Sequence, residues 1–178
     1  MGDADRLSAV RRRTALGSLV AAGLAGAAAY AGVRVATRDS LVGAVAPPLA
    51  GRALDGTWFD LTAWRGAPVL VTSWDPGSAA CRDHLQLLAS VGPGLLDDGV
   101  RLVGLATTGS EQHCRRALAA VGARGLLSIT DGDGSRAAAW GLRHATETFL
   151  VSARGAVVDH AARPVDAPWL AQHAVVPS

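Results

Sequence analysis

The sequence predicts an α/β domain behind an N-terminal apolar span, on three observations. Two continuous apolar runs of strand length, PVLVTSW (Pro68 to Trp74) and VRLVGLA (Val100 to Ala106), have the composition of strands covered on both faces. Between them Cys81, Leu85 and Leu88 recur at i, i+4 and i+7, the buried stripe of a helix, so the three segments form a βαβ unit that is right-handed by default. Ahead of all this, Ala15 to Val33 runs 19 residues without a charge.

The apolar span comes first in the chain. As a helix it measures about 28 Å, close to the thickness of a bilayer core. Arg11, Arg12 and Arg13 precede it, and positive charge on that side places residues 1–14 in the cytoplasm and the body outside, on a single-pass anchor in the cell membrane. The competing reading is a signal segment. Ala29-Tyr30-Ala31 has the small-x-small form of a cleavage site, which would release the body near Ala31, and the arginine run is a loose twin-arginine signal. Residues 34–46 form a linker, and the domain is expected over 47–173, opening on Pro47-Pro48.

Each later element has its own signal. LDGTWFDL (Leu54 to Leu61) reads as a hairpin around Asp55-Gly56, and the first helix is expected from Ser78 to Val91, broken at Gly92-Pro93. A second helix spans about Ser110 to Val121, then LLSIT is a short strand. Asp131-Gly132-Asp133-Gly134 turns into a short helix over Ser135 to Trp140. TFLVS and AVVDH, joined through Ala153-Arg154-Gly155, form an antiparallel hairpin that makes the sheet mixed, and a last helix starts near Asp166. The charge is uninformative about partners within the body: residues 34–178 hold 13 Arg and 13 acidic residues, so no basic face for nucleic acid is visible.

Taken together, Asp55-Gly56…Leu61, Gly66-Ala67-Pro68-Val69-Leu70-Val71…Trp74, Cys81-Arg82, Val103-Gly104-Leu105, Asp131-Gly132…Gly134, Gly141-Leu142, Glu147-Thr148-Phe149-Leu150-Val151 and Arg154-Gly155 resemble the TlpA/ResA/CcmG (DsbE) group of membrane-anchored thioredoxin-like proteins. The resemblance covers about residues 41–172. It implies a thioredoxin-like fold, a central mixed sheet with helices on both faces, and a role in thiol–disulfide exchange or cytochrome c maturation. It also places the site: Ser78 falls on the family's first cysteine, Ala80 on its proline and Cys81 on its second cysteine, with Thr146 at the cis-proline position. Trp74, Thr146 and Glu147 then stand at the substrate-contacting surface. In a dithiol site the first thiol attacks and the second resolves the mixed disulfide, and a serine hydroxyl does neither at neutral pH. Non-proline residues take trans peptides by default, so an altered docking loop is expected at Thr146.

Three readings of SAAC follow. In the first, Ser78 caps a helix and Cys81 is a buried leftover, so the protein works by binding a protein thiol, an apocytochrome or an assembly factor. In the second, Cys81 acts alone, as a monothiol exchanger or in a peroxiredoxin-like Ser-x-x-Cys site. That pattern wants a proline where Trp74 stands, and only Arg143 is available as its supporting arginine. In the third, Cys81 bridges Cys114, which is disfavoured because the second helix is expected on the opposite sheet face. No cofactor and no metal site is assigned. His113-Cys114 are adjacent on a helix and point about 100° apart; His84 is expected as a solvated helix residue, and His144 near the site. Trp58, Trp64 and Trp140 are expected to pack the core or its edge.

Overall fold

A computed structural model describes residues 41–173. The anchor or signal segment at 15–33, with its flanks, lies outside the described residues. Among those described, no helix is long and apolar enough to cross a membrane.

The elements follow the expected order: β1 (Ala50–Arg52), β2 (Trp58–Asp60), β3 (Val69–Trp74), α1 (Ala79–Asp97), β4 (Arg101–Ala106), α2 (Glu111–Ala120), β5 (Ser128–Thr130), α3 (Ser135–Ala139), β6 (Thr148–Val151), β7 (Val157–Ala161) and α4 (Ala167–His173). The main sheet runs β5-β4-β3-β6-β7. β3 pairs parallel with β4, with Val69 opposite Arg101, and β4 parallel with β5. β6 is antiparallel to both β3 and β7. This is a mixed sheet with β3 at its centre, and every residue of β3 is buried, as its unbroken apolar run requires. β1 and β2 form the separate hairpin, whose connecting turn binds the free edge of β5 through Leu54 N–H to the Ser128 carbonyl. The chain joins the fold ahead of Pro47, since the N–H groups of Gly43 and Ala46 donate to Val157 and Gly155 at the start of β7.

Alternation along the strands divides the core. Val69, Val71, Val103, Leu105, Ile129, Phe149 and Val151 pack beneath Phe59, Leu61 and Trp140 on one face. On the other, Trp74 and Ala106 meet Cys81, Leu85, Cys114 and Leu118 from α1 and α2. Farther along that face Leu70 and Leu150 meet Leu88 and Leu95 of α1 and Leu170 of α4.

Four expectations are corrected here. First, α1 does not stop at Gly92-Pro93 but continues to Asp97 with Pro93 inside it. Proline removes one N–H, leaving the Ala89 carbonyl without its helical donor, a cost on the order of 3 kcal/mol. The extra turn buries Leu95 against Leu70, Leu88 and Val100. The stop signal is Gly99, at φ +79°: its N–H bonds the Leu96 carbonyl while Val100 N–H bonds that of Leu95, the paired bonds of a left-handed helix ending. Second, α1 and α2 share one sheet face. Because β3, β4 and β5 step across the sheet in a single direction, two right-handed crossovers lay both helices on the same side. Third, Trp58 is 74% exposed; it alternates with Phe59, which takes the inward position of β2. Fourth, His84 is buried rather than solvated, at 2% exposure.

Candidate functional site

The site grows from the end of β3. After Trp74 the chain turns on Asp75-Pro76-Gly77, where Asp75 Oδ1 accepts from Gly77 N–H at 2.7 Å and the Asp75 carbonyl accepts from Ser78 N–H at 3.1 Å. Ser78 has extended backbone and caps α1: its Oγ accepts from Cys81 N–H at 3.3 Å. The hydroxyl is thereby committed to the helix start.

Cys81 lies on the inner side of the first turn and is 0% exposed. Three polar groups surround its sulfur. Asp75 N–H donates to Sγ at 3.2 Å, Thr146 Oγ1 is 3.0 Å away, and the Ala145 carbonyl accepts from the thiol at 3.5 Å. Thr146 therefore closes the site from above, on the loop that enters β6. The described residues contain no cis peptide, so the bond before Thr146 is trans.

Trp74 is fully buried beside Cys81, and its Nε1 has no hydrogen-bond partner. Gly104 explains how the indole fits: a Cβ there would stand 2.9 Å from Trp74 Nε1 and 2.3 Å from Ser128 Oγ. Glu147 also points inward. Its Oε1 accepts from the N–H groups of Arg143 and His144, at 2.6 and 2.7 Å, and its Oε2 is 2.7 Å from His160 Nε2. Burial pushes this carboxyl upward, but the two amides and the His160 ring outweigh it and hold the pKa below the ordinary value. Glu147 thus fastens the 143–146 loop to β7. Ser73 locks the other side, exchanging bonds with Glu147 through Ser73 N–H to its carbonyl and Glu147 N–H to Ser73 Oγ.

Both cysteines are free. Cys114 shares the buried cluster with Cys81, its Sγ 3.5 Å from the Thr108 carbonyl. Its thiol is raised above the ordinary value, chiefly by burial and further by the Asp75 carboxylate. His113 and His144 are exposed. Among the described residues no group of three or more His, Cys, Asp or Glu is placed to hold a metal ion.

One buried network escaped the sequence reading. His84 Nε2 is 2.9 Å from Thr72 Oγ1, which is 3.1 Å from Thr148 Oγ1, while His84 Nδ1 has no partner of good geometry. Burial pushes the imidazole down to about 4, with the Val165 backbone offsetting this in part. Its signal was present: position 84 falls at i+3 from Cys81, on the same stripe as Leu85 and Leu88.

Two parallel crossovers followed by an antiparallel hairpin, with a helix starting over the central strand end against the loop into β6, define a thioredoxin-fold protein. Solved structures agree. The thioredoxin domain of a thiol-disulfide oxidoreductase from Bacteroides vulgatus superposes with a TM-score of 0.64 at 23% identity, covering 70% of this chain and 91% of that one. A secreted Mycobacterium tuberculosis disulfide oxidoreductase homologous to E. coli DsbE gives 0.63 at 19% identity, covering 71% and 93%. The chain belongs to the Redoxin family, which matches residues 41–166. It is also similar to the thiol:disulfide interchange protein DsbE of Yersinia pestis, 30% identical over 135 residues, which span 74% of this chain and 70% of the relative.

Proposed function

We propose that this protein is an extracytoplasmic, membrane-tethered member of the thiol:disulfide interchange lineage that acts by binding a partner, without dithiol turnover of its own. The tether rests on the three arginines ahead of the uncharged stretch 15–33. The single observation that carries the functional reading is the state of the two site positions. Ser78, where the family's attacking thiol stands, is spent as the cap of α1, and Cys81 is buried under Thr146. Disulfide exchange proceeds by attack of an accessible thiolate and resolution by a second thiol. Here one of the two is a hydroxyl and the other is inside the core.

The fold retains what partner binding needs. The 143–146 loop is held by Glu147, itself bonded to Ser73 of β3, and touches Cys81 of the first turn of α1 through Ala145 and Thr146. The loop is thus a fixed element next to the start of α1, while the Glu147 and Trp74 side chains serve from within. A reduced protein thiol or an apocytochrome segment is the partner class that the lineage suggests. Insulin reduction by dithiothreitol tests the reading. Catalysis by the full-length protein is expected to match that of Cys81→Ala, and turnover above that background refutes it. A one-cysteine peroxidase would instead show peroxide consumption that needs Cys81 and not Cys114.

A further inference from the structure

A cleft of about 230 Å³ opens beside the site, between the start of α1 and the length of α2. Arg82 of α1 and His113 and Arg116 of α2 line it together with Ser78, and Leu85, Ala117 and Val121 contribute an apolar floor. Both arginines are exposed, and neither has a carboxylate within ion-pair distance among the described residues. By contrast Arg115, one position away, is held by Glu111 at 3.2 Å and by the Leu54 carbonyl at 2.9 Å. Two exposed arginines from different helices, without a carboxylate partner, thus line one concavity at the site, with Asp75 as the one acidic residue on its wall.

We infer that this cleft receives a glutamate side chain from an acidic segment of the partner polypeptide. This rests on the partner-binding reading and names its chemistry. A guanidinium pair matches a carboxylate through charge-assisted hydrogen bonds. The apolar floor suits a short aliphatic stem, and Asp75 on the wall favours a monoanion over a phosphate dianion, which it repels more strongly. The stem lies over Leu85 and Val121 while its carboxylate meets Arg82 and Arg116. The partner backbone then runs across the start of α1 toward the 143–146 loop.

The test uses the full-length protein in detergent and a fluorescein-labelled, amidated Ala-Glu-Ala-Glu-Ala peptide, read by anisotropy. Binding is expected that weakens with salt, and Arg82→Gln and Arg116→Gln should each weaken it about fivefold, as solvent-exposed ion pairs do. Matched Gln and phosphoserine peptides, and free glutarate, should bind more weakly. Equal binding of the Gln peptide, indifference to both arginine variants, no binding at millimolar peptide, or preference for phosphoserine or free glutarate each overturns the inference. The insulin assay separates the two claims. Turnover there with peptide binding intact removes the partner-only reading and leaves the cleft, whereas absent turnover with no peptide binding removes the cleft alone.

Discussion

His84 ties the stability of the domain to pH. The imidazole sits at 2% exposure against Thr72, and burial holds its pKa at about 4 against 6.5 for a free histidine. The unfolded chain therefore takes up a proton near pH 6.5 that the folded chain refuses until about pH 4. With the folded value depressed, the contribution to stability is fully present above pH 6.5 and is lost as the pH falls toward 4. At roughly 1.4 kcal/mol per pH unit, the loss across that window comes to about 3 kcal/mol, a large share of the stability of a typical domain. Replacing His84 by Leu removes the titration. Thr72 Oγ1 keeps its contact with Thr148 Oγ1 at 3.1 Å, so the cost at neutral pH is small. Urea unfolding of both proteins at intervals from pH 7.5 to 4 reads the difference directly. The stability gap should move by about 3 kcal/mol in favour of the variant as the pH drops. A gap that stays flat to within about 0.5 kcal/mol, a difference an ordinary surface change could produce, would refute the placement of a neutral buried imidazole here.

Other substitutions probe the site itself. Ser78→Cys puts a second thiol at the cap position of α1, and mild oxidant should then form a 78–81 disulfide, seen as loss of two mass units and of thiol titre; failure to close means the register of the site is misassigned. Gly104→Ala drives a Cβ to 2.3 Å from Ser128 Oγ and 2.9 Å from Trp74 Nε1, and thermal unfolding should show a loss of about 2 kcal/mol or more. Glu147→Gln leaves two inward amides and His160 facing a neutral group, and the weakening of these charge-assisted hydrogen bonds should cost about 1–2 kcal/mol at pH 7 by chemical denaturation. Because the folded Glu147 carboxyl titrates below its ordinary value, that cost is present above the ordinary value of 4.5 and fades as the pH falls below it.

The order of the elements was legible because each carries a local signal. The runs ending at Trp74 and Ala106, the Ser78 cap, the Asp131 turn and the closing hairpin all stand where apolar periodicity and turn chemistry put them. The errors share one cause, which is that local rules yield to packing. Pro93 is a breaker in isolation, yet the burial of Leu95 carries the helix past it to Asp97, ahead of the stop at Gly99. The face taken by Cys114 depends on the direction in which three strands step across the sheet, a property of the whole topology. His84 reads as solvated because it is polar, while the stripe it occupies turns inward. In the site itself, the Ser78 cap and the Cys81 position could be read directly. The inward turn of Glu147 could not, since its partner His160 lies across the β6–β7 hairpin and no spacing rule joins them.

The reading that Cys81 is a core residue rather than a working thiol can be measured on the protein as it is. Full-length protein is pulsed with N-ethylmaleimide at neutral pH, and the labelling rate of Cys81 is resolved by mass and compared with the rate in guanidinium. With the sulfur enclosed by Asp75, Ala145 and Thr146, labelling requires the structure to open, and the native rate should be slower by about a thousandfold or more. A native rate within about tenfold of the denatured one would correspond to an opening cost near 1.4 kcal/mol, too small for a core thiol, and would return Cys81 to the surface as a reactive group.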